Sequence, residues 1–87
     1  MEKSFTLISE TGLHARPATQ FVMFINELPI DVWIVHKDFV ADAKSIMAVM
    51  SLGLAKGASF NIRILDEHQA YLDKIETYLK EHGFIAS

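Results

Sequence analysis

Asp31-Val32-Trp33-Ile34-Val35-His36-Lys37-Asp38-Phe39-Val40-Ala41 is the stretch on which the fold turns. Asp31 to Val35 and Phe39 to Ala41 are rich in β-branched and aromatic residues, while His36-Lys37-Asp38 between them is polar. That pattern predicts a β-hairpin, although its tip has no glycine. Pro29 lies just upstream and stops any helix from running into the first strand.

Outward from the hairpin the period changes. Toward the N-terminus Ala18, Phe21, Val22 and Ile25 recur at helical spacing, and Pro17 suits a first helical turn, where its missing N–H is not needed. A helix is expected from Pro17 to about Leu28, preceded by a loop from Ser9 to His14 that Gly12 breaks. Before the loop, Ser4-Phe5-Thr6-Leu7 alternates and places Phe5 and Leu7 on one face of a first strand. Toward the C-terminus, Ser45 is a good N-cap for a short helix from Ile46 to about Leu54, with Gly57 as its stop. Ser59 to Ile64 predicts a fourth strand with Phe60, Ile62 and Ile64 on one face. Asp66 and Gln69 have the spacing of a capping box for a last helix to about His82, before Gly83, with Leu72, Ile75 and Leu79 as its inner stripe.

The order βαββαβα is buried most economically by one sheet with all three helices on a single face, an α+β two-layer sandwich. With 87 residues and no linker, repeat or low-complexity tract, residues 1–87 are expected to form a single domain. Eight Lys and Arg against 11 Asp and Glu give a net charge of -3, which argues against a nucleic-acid partner. The absence of cysteine excludes disulfides and thiolate metal sites and fits a reducing cytosol. Met1 to Ile8 has an acidic residue near its start and no long apolar run, so it reads as neither signal peptide nor membrane span. The expected setting is cytoplasmic, without membrane insertion, and the expected state a monomer.

Of the four histidines, His36 falls in a turn, and His68 and His82 lie in the last helical segment; all three read as solvated surface residues. His14 differs, because it follows a glycine loop and directly precedes a helix start that contains Arg16 and Pro17. One reading makes it a helix cap. The other makes it a phosphoryl acceptor: free N–H groups and the positive end of the macrodipole form an anion site beside the ring. Arg16 then offers a planar cation for phosphate oxygens, and a neutral imidazole nitrogen is a competent nucleophile. Phosphoryl transfer asks mainly for positioning and charge stabilisation, so this sparse site suffices if a partner supplies the rest. No second histidine or cysteine lies at ligand spacing from His14, and no nucleotide loop is visible; neither metal nor cofactor is expected.

Ser45 is first a helix cap, yet phosphate added there would sit at a helix N-terminus and act by repelling rather than by melting. The helix after it, Ile46-Met47-Ala48-Val49-Met50-Ser51-Leu52-Gly53-Leu54, is apolar nearly all round, while a two-layer sandwich covers one side of it. Met47 and Met50 are thus either core residues or an adaptable docking patch.

Thr11-Gly12-Leu13-His14-Ala15-Arg16-Pro17-Ala18 and Lys44-Ser45-Ile46-Met47-Ala48-Val49-Met50-Ser51-Leu52-Gly53 resemble the two motifs of the HPr phosphocarriers of the bacterial sugar phosphotransferase system. The resemblance covers nearly the whole chain. It implies an open-faced β-sandwich with a four-stranded antiparallel sheet. It also implies that His14 takes phosphate derived from phosphoenolpyruvate from the general phosphotransferase enzyme and passes it to sugar-specific components, so that the protein is a carrier and not a stand-alone enzyme. Arg16 matches the family's phosphate-binding arginine. Ser45 matches the serine modified by HPr kinase/phosphorylase in Gram-positive relatives, where the modified carrier works with a catabolite-control transcription factor. Ile46, Met47, Met50 and Ser51 fall where relatives contact partners. Asp38-Phe39 departs from the usual glycine turn, the Leu65-Asp66 connection is short, and Phe24, Trp33 and Phe39 suggest extra exposed apolar surface. The alternative is an HPr-like regulatory binding module that acts mainly through phosphorylated Ser45; the retained His14 argues for the carrier.

Overall fold

Side chains alternate across a strand, so each strand's apolar set selects one face of the sheet. In the computed structural model, which describes all 87 residues, the strands are β1 (Glu2–Thr6), β2 (Trp33–His36), β3 (Phe39–Asp42) and β4 (Ser59–Arg63). They form one antiparallel sheet in the order β1-β4-β2-β3. Phe5 lies opposite Phe60, Ile62 opposite Ile34, and Ile34 opposite Ala41, and all five are buried. The other face is open. There Arg63 Nε lies 2.5 Å from Glu2 Oε1, and Asn61 donates to Glu2 at 2.8 Å and accepts from Ser4 at 2.6 Å.

The helices α1 (Ala15–Asn26), α2 (Ile46–Ser51) and α3 (Gln69–Glu81) cover the apolar face. Ala18, Phe21, Val22 and Ile25 of α1 and Leu72, Ile75 and Leu79 of α3 are buried, as their spacing predicts. They join one core cluster with Phe5, Ile34, Phe60 and Ile62, where each large apolar side chain contributes roughly 1.5–3 kcal/mol by leaving water. The Tyr78 ring of α3 stacks on Phe24 at 4.2 Å and on His82 at 3.9 Å, and burial pushes its hydroxyl pKa up. Phe24 is thereby half-covered rather than free, and Trp33 is half-buried, whereas Phe39 is 66% exposed on the edge strand.

Several boundaries differ from the sequence expectation, the strand ends by one or two residues and the following elements more instructively. The hairpin tip is two residues, Lys37-Asp38, and Lys37 takes φ +55 where glycine is the cheaper choice. Helix α1 opens two residues before Pro17 and closes at Asn26. Helix α2 ends at Ser51 instead of Leu54, and the residue that stops it is Gly53, at φ +62, rather than Gly57. Leu54 is fully buried, so the chain must leave the helix to place it in the core. The capping box at Asp66 does not form, because its carboxylate is held by the Met1 amino group at 2.6 Å, which lowers its pKa. Asp66–His68 becomes a 3-10 turn, and α3 starts at Gln69 without a side-chain cap.

Glu76 of α3 is clamped by Lys3 of β1 and by Lys80, the latter at 3.0 Å, and these two hydrogen bonds hold its carboxyl below the ordinary value of 4.5. A depressed carboxyl pKa contributes stability above the unfolded value and loses it as pH falls through the folded one. Glu76→Gln is therefore expected to cost about 0.5–1 kcal/mol at pH 7, with the gap to the parent closing as pH drops below 4.5. Urea unfolding of both proteins across pH 3–7 reads this directly.

Candidate functional site

A loop can hold a reactive side chain only if its backbone is fixed, and the segment before α1 is fixed at three points. Gly12 N–H donates to the Ser9 carbonyl at 3.1 Å, and Ser9 Oγ donates to the Gly12 carbonyl at 3.2 Å, which closes a turn. Leu13 is buried, and its N–H donates to the Leu54 carbonyl at 2.9 Å. Gly12 sits at φ +64, where a Cβ would lie 2.3 Å from the Leu54 oxygen. The loop thus meets the chain just past α2 through a contact that admits no side chain.

His14 follows as the N-cap of α1, extended at φ -132 and ψ 162. Its ring makes no capping hydrogen bond and is half-exposed. The helix-cap reading therefore holds for the backbone but leaves the imidazole uncommitted. Ala15 takes φ +52, a left-handed conformation that a non-glycine residue adopts only when its surroundings impose it. The N–H groups of Ala15 and Arg16 have no partner, and Pro17, within the first turn, has none to offer. Arg16 is exposed and makes neither ion pair nor hydrogen bond. The mouth of α1 thus gathers a free imidazole, a free guanidinium, unpaired amides and the positive helix end, an arrangement that favours an anion.

Ser45 lies elsewhere. Its hydroxyl accepts from Ala48 N–H at 3.2 Å, the expected cap. Asn26 at the end of α1 donates to the Lys44 carbonyl at 3.0 Å, and Lys44 Nζ donates to the Leu28 carbonyl at 3.0 Å. Ser45 is thereby tied to the C-terminal end of α1 and His14 to its N-terminal end, a separation of about 18 Å for twelve residues at ~1.5 Å each. Between them α2 buries Val49 alone; Ile46 is half-buried against the core. Met47 is 80% exposed and Met50 42%, so both stand outside the core, and Ser51 is exposed with its hydroxyl on the Ala48 carbonyl.

Two features of the site were not read from the sequence. Ala15's left-handed backbone has no signal, since alanine is the residue least indicative of it. Met23, 64% exposed, lies one and two turns from Gln20 and Arg16 on the outer face of α1, and helical spacing alone places it there. No group of three or more His, Cys, Asp or Glu side chains is placed to hold a metal ion. No helix is long and apolar enough to cross a membrane.

Fold and site define a small α+β protein that offers an anion-receptive histidine at a helix mouth. A family model described as the PTS HPr component phosphorylation site matches residues 1–81, and the chain belongs to the HPr family. HPr proteins are phosphocarriers rather than catalysts, and this chain is one by membership. Among solved structures, a histidine-containing phosphocarrier protein of Mycoplasma superimposes at TM-score 0.89 with 22% identity over 100% of both chains, a likeness of fold. The phosphocarrier HPr of Bacillus anthracis is 30% identical, with 90% of this chain and 94% of that one covered at TM-score 0.76. The catabolite-repression protein Crh of Bacillus subtilis, described as a swapped, intertwined dimer, is 35% identical, with 84% and 85% covered at TM-score 0.70.

Because a methyl at Gly12 must displace backbone and not a flexible side-chain end, Gly12→Ala is expected to cost about 2–3 kcal/mol. Amide signals should shift at both Leu13 and Leu54 in a two-dimensional NMR spectrum while those of α3 stay in place.

Proposed function

We propose that His14 is the phosphoryl acceptor of this carrier, and that it receives phosphate derived from phosphoenolpyruvate from the general phosphotransferase enzyme and delivers it to sugar-specific components. The observation that carries the reading is the uncommitted His14 ring beside the unpaired Ala15 and Arg16 amides. A ring nitrogen attacks phosphorus as the bond to the donor breaks, so the phosphoryl group moves without release to water. Arg16, free of other partners, closes on the equatorial oxygens as their charge is redistributed. Neither His14 nor Arg16 lines any of the surface clefts, which suits transfer in both directions: a partner supplies the walls. Met47, Met50, Ile46 and Ser51 form the docking face, with exposed methionine giving contacts that adapt to more than one partner.

Ser45 phosphorylation by HPr kinase/phosphorylase is the regulatory part of the proposal. The cap position tolerates added negative charge at the start of α2, so the modified chain keeps its fold. With His14 at the other end of α1, the charge acts on the partner crossing α2 and not on the imidazole. Likeness to Crh favours a second reading, a regulatory module that docks a catabolite-control transcription factor through phosphorylated Ser45. The free imidazole at His14 weighs for the carrier.

Incubation with phosphoenolpyruvate and the general enzyme should label His14 in an acid-labile linkage. His14→Ala should abolish the label, and Arg16→Ala should slow it by roughly ten- to a hundredfold. An unlabelled parent protein defeats the carrier reading. Ser45→Asp should slow labelling by about tenfold through weaker docking while thermal unfolding stays within ~0.5 kcal/mol of the parent. Equal transfer rates for the two proteins rule out the switch.

A further inference from the structure

Four clefts indent the surface, and three of them carry carboxylates in their walls: Glu2, Asp66 and Glu67 in one, Asp42 in a second, Glu76 in a third. The fourth, about 560 Å³, has none. It lies between the β2–β3 hairpin and the α2–β4 loop, and His36, Lys37 and Lys56 line it together with backbone of Gly53, Ala55 and Gly57. In a chain of net charge -3, two lysines and a histidine line this cleft with no acid among the lining residues, and the one carboxylate at its margin is Glu10, paired with Lys56. Neither His14 nor Arg16 borders it.

Its wall carries hydrogen-bond donors that the fold leaves unused. Gly57 N–H is taken by the Leu7 carbonyl at 2.8 Å and Ala58 N–H by the Ala55 carbonyl at 3.0 Å, which folds the loop tightly. The N–H groups of Ala55 and Lys56, in exposed residues, are left without a partner. His36 Nδ1 lies 2.8 Å from the Ser59 carbonyl. A carbonyl only accepts, so Nδ1 carries the proton, and in the neutral ring Nε2 is left to accept from a ligand hydroxyl. Lys37 is held at the hairpin tip in its left-handed backbone and has no ion-pair partner. Lys56 is 2.5 Å from Glu10, but with the two side chains 54% and 82% exposed this pair is one that a doubly charged ligand outcompetes.

We infer that this cleft binds a phosphate group, free or as the ester of a small hydroxylated compound, between Lys37 and Lys56, with the Ala55 and Lys56 amides on its oxygens and His36 on its hydroxyl. The inference does not rest on the carrier reading, since it uses none of the groups at the mouth of α1.

The test is a titration of the intact chain with inorganic phosphate, and separately with glycerol 3-phosphate, at constant ionic strength, followed by NMR at the Ala55 and Lys56 amides and the His36 ring. These signals should move together in the parent and equally in His14→Ala. The double variant Lys37→Asn, Lys56→Gln, in which asparagine tolerates the left-handed φ, should bind at least about tenfold more weakly. Glu10→Gln, which frees Lys56, should bind about two- to threefold more tightly. The tighter of the two probes identifies the source of the phosphate. Shifts confined to His14 through Arg16, or a double variant that titrates like the parent, overturn the inference.

Discussion

The hydrogen bond from Leu13 N–H to the Leu54 carbonyl, together with the glycine that lets it form, is the constraint on which the end of the molecule that carries His14 depends. It joins two segments far apart in sequence, the loop entering α1 and the chain leaving α2. Leu13 and Leu54 are both buried, so the bond is shielded from competing water and reinforced by apolar contact. From this pin the chain has one extended residue, His14, and one left-handed residue, Ala15, in which to reach the helix. The imidazole is left half-exposed there, with no capping bond to hold it.

The same pin explains why α2 is short. A longer helix would carry Leu54 around its surface and away from Leu13; ending at Ser51, with Gly53 turning the chain, sends Leu54 inward instead. One consequence is a helix that buries Val49 alone and leaves Met47 and Met50 outward. Another is a loop whose glycine-rich return to β4 opens the basic cleft beside His36 and Lys37. The outward methionines of α2, the His14 loop and the cleft thus follow from one backbone decision, while α3 serves the core.

Much of the fold was legible because it rests on periodicity. The stripes Ala18, Phe21, Val22, Ile25 and Leu72, Ile75, Leu79, and the strand faces of Phe5, Phe60 and Ile62, are recorded in spacing alone, and all are buried. The candidate site was legible as a pair of motifs, since His14, Arg16 and Ser45 can be named from their positions before and within helix starts. What failed was the detail at element ends. Asp66 has the spacing of a capping box, yet the Met1 amino group, at the far end of the chain, claims its carboxylate. By sequence Gly57 is the expected stop of α2, whereas the chain turns at Gly53, because the core demands Leu54.

By itself the sequence determined the strand and helix order, the faces that turn inward, and the residue types available for phosphate chemistry, because these follow from local spacing and side-chain identity. The tertiary structure alone decided that the His14 ring is free, that Ala15 is forced left-handed, that Ser45 stands at the opposite end of α1, and that Lys37 and Lys56 share one cleft. Those facts depend on which distant segments meet, and distance in space between such segments is set by the packing of the whole core rather than by any window of neighbouring residues.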